Sequence, residues 1–358
     1  MDCLINIIGL SETNCACYPL SPVDYNTSAS GIFLDQLEGL DLEMIKAVED
    51  CAEGNLWDRM TKARDNAVRA FKADYLSCVQ SNYINRVTNW SGLIGSTTFN
   101  ASINPLTSNA GIKVTTNQLK GGVIIVKKIG VIVDSNVAVT VNAYSSKDGG
   151  TLVATYVINA IANTLTYATL SAPLELPTFS YDAQNLSYYF LIDLTPANFL
   201  PKNNKKDCGC GGVSKPYKSW FDFVGVKGNA IPDISLYQQS TSNEINGLVL
   251  DVEAKCKSSE IICSEERPLD FNDSGYDMQI AYAIRFKAGE ILIEDMLASG
   301  NINRFTMLDR ERLWGKRNHY RKLYDEWVTY LCASPKIDNN YCLVCRNDNG
   351  LLKRTILS

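Results

Sequence analysis

The sequence predicts an α+β fold: an antiparallel, jelly-roll-like β-sandwich inserted into a discontinuous helical domain. Three observations predict it. Apolar residues recur at helical spacing towards both ends of the chain, within 31–92 and again within 266–334. Between them, from Gly111 to Thr195, charged residues thin out and Val, Ile, Thr and Tyr dominate. Neither helical half can cover its own apolar stripe, so the two halves are expected to pack together around one core.

The first 30 residues read as an irregular arm, with Pro19, Pro22 and three cysteines. Its apolar side chains Leu4, Ile5, Ile7, Ile8 and Leu10 suggest that it packs on something, such as a neighbouring copy. It is not read as a secretory signal, because Asp2 stands where a basic residue is needed. From Ile32 the residues Leu34, Leu37, Met44 or Ile45, Val48 and Ala52 mark a first helix that Gly54-Asn55 stops. A second helix follows, with Leu56, Met60, Ala63, Ala67, Phe71, Tyr75 and Cys78 on one face, so the spacing predicts an antiparallel helical hairpin over 31–92.

The sandwich is expected over 93–265. Its first strands are Ile112–Leu119, Val123–Val133, Ala138–Tyr144, Thr151–Ile158, Thr164–Leu170, Leu174–Tyr181 and Tyr188–Leu194, separated by turn signals such as Lys120-Gly121-Gly122 and Asp134-Ser135-Asn136. A Cys/Gly-rich loop occupies 201–216, and Phe221–Val226, Ile234–Tyr237 and Leu248–Val252 complete the sheets. The helical pattern returns after Pro268, through Ile280, Ile284, Ala288 and Ile291, to Ser299-Gly300. Thr306 and Asp309 then read as the cap of a last helix carrying Leu313, Tyr320, Leu323, Trp327 and Leu331, with a tail over 335–358.

A chain of 358 residues, 46% hydrophobic and 20% charged, can bury roughly three quarters of its unfolded surface. That excludes a disulfide-stapled miniprotein, a disordered tail and a lone coiled coil. A net charge of −5 argues against nucleic acid binding by the whole surface, though not by a local strip. The uncharged stretch from Gly149 to Leu174 is long enough to span a bilayer, but its Thr and Asn residues suit strands and turns, and no membrane partner is expected. Twelve cysteines without a secretory signal are expected to be reduced thiols in a protein made in a cytoplasm.

Catalytic signatures are sparse. His319 is the only histidine and reads as a solvated surface residue, and no Gly-x-Ser-x-Gly elbow accompanies it. Asp270-x-Asn272-x-Ser274-Gly275 begins like a calcium loop, but Ala281 occupies the twelfth position, so it reads as a turn into the helix of Asp277. Cys208 and Cys210 with Cys342 and Cys345 form the one metal constellation, a four-cysteine zinc site. Cys-x-Cys is not the usual zinc spacing, so unligated thiols and no resident cofactor are expected. Arg310, Arg312, Lys316, Arg317, Arg321 and Lys322 give the last helix a basic strip interleaved with Trp314 and Tyr320, read as a solvated face paired to acidic neighbours.

The start Ile8-Gly-Leu-Ser-Glu-Thr-Asn-Cys-Ala-Cys-Tyr-Pro-Leu20 and the end Leu323-Tyr-Asp-Glu-Trp-Val-Thr-Tyr-Leu-Cys332 with Asn340-Tyr-Cys-Leu-Val-Cys-Arg346 carry a resemblance. Together with the overall plan, they resemble virion structural proteins of crAss-like phages, which infect gut Bacteroidales, and most of all their head-to-tail ring or connector proteins. The resemblance implies a cyclic, twelve-fold oligomer in the neck or tail, stacked near portal, connector and tail proteins, with a lumen that conducts DNA. In such a ring Arg310 through Lys322 would face DNA or an acidic neighbour. It implies no catalytic residue, and the protein is not expected to be an enzyme. The competing expectation is a carbohydrate- or receptor-binding sandwich, with Tyr144, Tyr156, Tyr167, Tyr181, Tyr188 and Tyr189 as a sugar-stacking face.

Overall fold

The structure, a computed structural model, describes residues 4–12, 25–47, 55–103, 106–168, 170–182, 185–196, 198–206, 216–229, 236–240, 244–257, 262, 269–272, 275–299, 304–333 and 340–345. The chain divides into two units: Met1–Tyr83 with Ser259–Lys336, and Ile84–Ser258 with Ile337–Ser358. The fold is mixed α+β with antiparallel, sandwich-like sheets.

The first unit holds helices α1 (Leu42–Ala47), α2 (Leu56–Asn82), α3 (Gly275–Ala298) and α4 (Arg304–Ala333). Helix α2 forms because Asn55 caps it reciprocally with Asp58: Asp58 N–H donates to Asn55 Oδ1 at 3.0 Å, and Asn55 N–H donates to Asp58 Oδ2 at 3.4 Å. Its inner face, Met60, Ala63, Ala67, Phe71, Tyr75 and Val79, is buried. Helices α3 and α4 pack against each other and against α2. On α3, Gly289 permits the closest approach, since a Cβ there would lie 2.5 Å from Leu37 Cδ1. Polar groups at these contacts find partners: Tyr75 and Tyr276 share a hydroxyl hydrogen bond of 2.6 Å, and Tyr324 donates to Asp74 at 2.6 Å.

The expected first helix does not form along its predicted length. Gly31 and Gly39 adopt φ of +70° and +85°, which interrupts any helix through Leu34 and Leu37. Asp41 instead caps Met44 N–H at 2.8 Å, so the helix opens after Asp41 and not near Ile32, while Val48, Ala52 and Gly54 lie outside the described residues. Residues 32–35 pair with the N-terminal arm: Gly9 N–H donates to Ile32 O, Leu34 N–H to Gly9 O and Asp35 N–H to Leu10 O. Leu4, Ile7, Ile8 and Leu10 are buried within this same chain, so the arm is part of its own core and does not wait for a neighbour. A second boundary also moves. Helix α4 begins at Arg304, which places Thr306 and Asp309 inside it and not at its cap.

In the second unit the strands are β1 (Tyr83–Asn85), β2 (Trp90–Ile94), β3 (Phe99–Ser102), β4 (Asn109–Thr116) and β5 (Gly122–Val131). There follow β6 (Val137–Ser145), β7 (Thr151–Ala160), β8 (Thr166–Tyr167), β9 (Leu174–Pro177) and β10 (Ser187–Asp193). The last are β11 (Lys202–Asn204), β12 (Phe221–Gly228), β13 (Gln238–Gln239), β14 (Leu248–Cys256) and β15 (Leu343–Cys345). One sheet runs β13-β12-β4-β10-β6-β7, and the other runs β2-β14-β5-β8, with β9 also on β5. Strands β1 and β15, and β3 and β11, make two short ribbons. The seven expected strands occur as β4 to β10, with β8 and β9 shortened. Of the expected strand at Ile234–Tyr237, Ile234 and Ser235 lie outside the described residues; pairing is described at Gln238–Gln239, and the Tyr237 ring meets Tyr189 edge-on at 6.1 Å.

Alternation places Ile112, Val114, Phe190, Ile192, Val139 and Val141 in the core, while Tyr144, Tyr189, Leu191, Val226 and Tyr237 cluster on the opposite face of the six-stranded sheet. Two buried amides complete the interior. Asn246 Nδ2 donates to Gly111 O at 3.2 Å and Val226 O at 3.0 Å, tying the turn before β14 to β4 and β12. Asn204 Nδ2 donates to Ser96 O at 3.1 Å and Leu248 O at 2.9 Å, and Asn204 Oδ1 accepts from Gly247 N–H at 2.7 Å.

Replacing Asn204 with Leu removes three buried hydrogen bonds and strands the Gly247 N–H, a change expected to cost about 3 kcal/mol. Urea unfolding checks this. The midpoint should fall with the denaturant slope unchanged.

Candidate functional site

Helix α4 presents the most concentrated charge that the sequence singled out. Leu313, Tyr320, Tyr324 and Leu331 face inward and are buried, which turns the basic residues outward or sideways. The structure separates the six cations into two groups. Lys316 lies 2.5 Å from Glu38 and Arg312 lies 4.0 Å from the same carboxylate. Arg317 bonds Glu294 through two guanidinium nitrogens and lies 3.8 Å from the buried Glu290, which also accepts from Lys287 Nζ at 2.9 Å. Lys322 faces Glu326 at 3.8 Å. The Lys316 ammonium, through its hydrogen bond and its charge, holds the Glu38 carboxyl below its ordinary range. Arg310 and Arg321 are exposed and have no ion pair among the described residues.

Eleven residues make just over three whole turns, so Arg310 and Arg321 lie within about 20° of each other on the helix, with Trp314 about 40° from Arg310. Trp314 is 45% exposed, and the Arg317 guanidinium sits 5.6 Å from its ring. This gives a free pair of cations flanking an exposed indole. His319 is exposed one turn away, as a solvated residue. Further along, Asn318, Arg321, Lys322, Asp325, Glu326, Thr329 and Tyr330 border a shallow recess with two cations and two carboxylates, so its lining favours no single charge on a ligand.

The cysteine constellation is described only in part. Cys208 and Cys210 lie outside the described residues, and Cys345 lies in β15. Cys342 is bonded to Cys256, with Cα atoms 5.7 Å apart, so its sulfur is committed. Cys78 and Cys332 are likewise joined, with Cα atoms 6.1 Å apart. The expectation of reduced thiols is therefore corrected at these four positions. Partners 86 and 254 residues apart share no local spacing, and only the fold brings them within bonding reach. Among the described residues, no group of three or more His, Cys, Asp or Glu could hold a metal ion. Of the calcium-like segment, Ser274 lies outside the described residues, and Asp270 N–H donates to the buried Asp277 of α3 at 3.0 Å.

The six tyrosines do not share a stacking face. Tyr144, Tyr188 and Tyr189 are buried, Tyr156 is half-buried, and Tyr188 spends its hydroxyl on Pro177 O at 2.7 Å. Tyr167 lies in β8 of the other sheet, while Tyr181 packs edge-on against Phe179 with Lys120 Nζ 5.0 Å from its ring.

The surface that sequence reasoning passed over is β7. It comes from the uncharged stretch Gly149–Leu174 and ends the six-stranded sheet, paired to β6 alone. Leu152, Val153, Val157 and Ile161 on and beside it are 53%, 41%, 66% and 58% exposed. Absence of charge was the available signal; exposure on an outer edge was not legible. No helix among the described residues is long and apolar enough to cross a membrane. Comparison with family models, with curated proteins and with solved structures finds no match to this chain.

Two outcomes follow from these groups. Proteolysis without reduction, read by mass spectrometry, should yield peptides linking Cys78 to Cys332 and Cys256 to Cys342. Burial pushes the Tyr320 hydroxyl from an ordinary 10.0 up to about 12. The folded state therefore holds this proton after the unfolded chain releases it. The associated stability is intact below about pH 10 and is lost as pH rises towards about 12. Urea midpoints measured across that range should fall, and fall less steeply in Tyr320→Phe.

Proposed function

We propose that this protein is a structural subunit of a phage particle, one copy in a cyclic, twelve-membered ring of the head-to-tail connector or tail. On this reading it is made in the host bacterial cytoplasm, is carried in the virion and meets portal, connector or tail proteins. It works by fitting surfaces together, not by transforming a small molecule, and it needs no cofactor.

One observation carries the reading. An edge strand of ten residues, without a single charge and with Leu152, Val153 and Val157 exposed, is an association surface left bare on the isolated chain. The outer face of α4 adds a second support. Arg310 and Arg321, free of ion pairs among the described residues and flanking Trp314, suit non-specific contact with the phosphates of translocating DNA.

Native mass spectrometry and negative-stain electron microscopy of the purified protein test the reading together. Closed rings are expected, and the protein should be found in purified virions. A chain that stays monomeric at high concentration and is missing from virions overturns it. If the α4 face meets DNA, Arg310→Glu with Arg321→Glu should weaken retention on duplex DNA whatever its sequence. The double variant should also flatten the salt dependence by about two units of slope. Unchanged retention would remove α4 from the lumen.

A further inference from the structure

The six-stranded sheet has two edges, and they are unlike. At one, β12 is flanked by the two-residue β13, Ser240 N–H donates to Gly225 O at 2.8 Å, and Lys205 bridges Glu244 close by. Residues 225–227 of that edge are covered. The other edge is β7, held to β6 by nine paired positions and by no described strand on its far side. In an antiparallel ladder alternate residues turn their N–H and C=O groups outward, so β7 carries a row of backbone donors and acceptors along its length.

We infer that the occupant of this edge is β7 of a second copy, laid antiparallel across a two-fold axis so that two six-stranded sheets become one. The inference rests on the self-association reading in taking a second copy as the partner. Three features favour this occupant. The β12 edge, covered at 225–227, offers no free ladder as long as β7, so among the described strands of this sheet another β7 is the one that fits. A two-fold pair sets a strand against its own reversal, which brings like charges together wherever the strand is charged. Residues 149–174 hold no Asp, Glu, Lys or Arg, so that repulsion does not arise. Finally, Thr155, Val157 and Asn159 are all exposed on one face, with Val153 exposed beside them at the register shift opposite Ala143 and Tyr144. A two-fold axis perpendicular to the sheet keeps that face in common. With the axis at Thr155, Val153 of each copy sits opposite Val157 of the other. A two-fold contact does not close a ring by itself; it joins copies in pairs, and a ring built with it needs a second contact as well.

The test compares the wild-type chain with Val157→Lys and with Leu236→Lys, a change at an exposed apolar residue away from β7, by native mass spectrometry over a dilution series. Backbone hydrogen exchange is followed in parallel on the wild-type protein. Even-numbered species are expected for wild type and Leu236→Lys, and association at least about ten-fold weaker for Val157→Lys. Amides within 151–160 should gain protection as concentration rises, and Thr155→Cys should yield dimers linked through that residue. If Val157→Lys associates as wild type does and 151–160 exchanges independently of concentration, the β7 pairing is wrong while self-association stands. If the wild-type chain is monomeric throughout, both readings fall.

Discussion

Satisfying backbone groups where strands end inside the β unit is the constraint on which the rest of that unit depends. Asn246 answers carbonyls of β4 and β12, and Asn204 answers Ser96, Leu248 and the N–H of Gly247. These are buried polar atoms away from water, where each missing partner costs about 1–3 kcal/mol. An apolar pair of similar size would fill the space and leave the backbone unanswered. With β4 and β12 tied down in this way, β10 and β6 follow by register, and β7 takes its place at the end. Register matters at that last step because side chains alternate. A slip of one residue between β6 and β7 would bury Val153 and Val157 and expose Ile158 and Ala160.

Elements with a complete local signal were legible in the sequence. Helix α2 had its apolar stripe, and β4 to β7 and β10 had β-branched runs ended by turn residues. What was lost depended on distant partners. The stripe Leu34, Leu37, Ile45 was read correctly as buried but wrongly as one long helix, because the same residues can be buried from turns. The arm supplied the competing hydrogen bonds, and Gly31 and Gly39 supplied the backbone bends. Asn55 was read as a helix stop, whereas its side chain starts α2; a residue at a boundary carries no label for which helix it serves. The bonded cysteines failed for a related reason, since Cys-x-Cys and Cys-x-x-Cys spacing draws attention to neighbours in sequence while the bonded partners lie on other elements.

The basic strip on α4 shows how a run of charge in sequence dissolves when neighbours are known. Six cations look like one surface on a helical wheel. Glu38 takes Lys316 and approaches Arg312, Glu294 and Glu290 engage Arg317, and Arg310 and Arg321 make no ion pair among the described residues. These acidic partners come from elements far away in sequence, so a wheel drawn on α4 alone cannot show them. Exposed pairs such as Lys322 with Glu326 contribute little to stability. Their main effect is to lower the field that this part of the helix presents to a polyanion. A role for α4 against DNA therefore rests on two arginines and an indole, a narrower claim than the sequence run suggests.

An edge strand without charge is a hazard as well as an opportunity. Two such edges on one sheet would let copies add without limit, each new chain exposing the edge the last one filled. Here the two edges differ among the described residues: the β12 side is covered by its own chain at 225–227, and the β7 side has no strand beside it. Pairing through β7 across a two-fold axis consumes both free edges at once and leaves nothing to extend, so the sheet stops at twelve strands. On the proposed pairing, the asymmetry between edges converts an aggregation-prone strand into a contact with defined stoichiometry. It also explains how β7 can dispense with the lysines and prolines that usually guard an edge. In the paired state the edge is no longer there to be guarded.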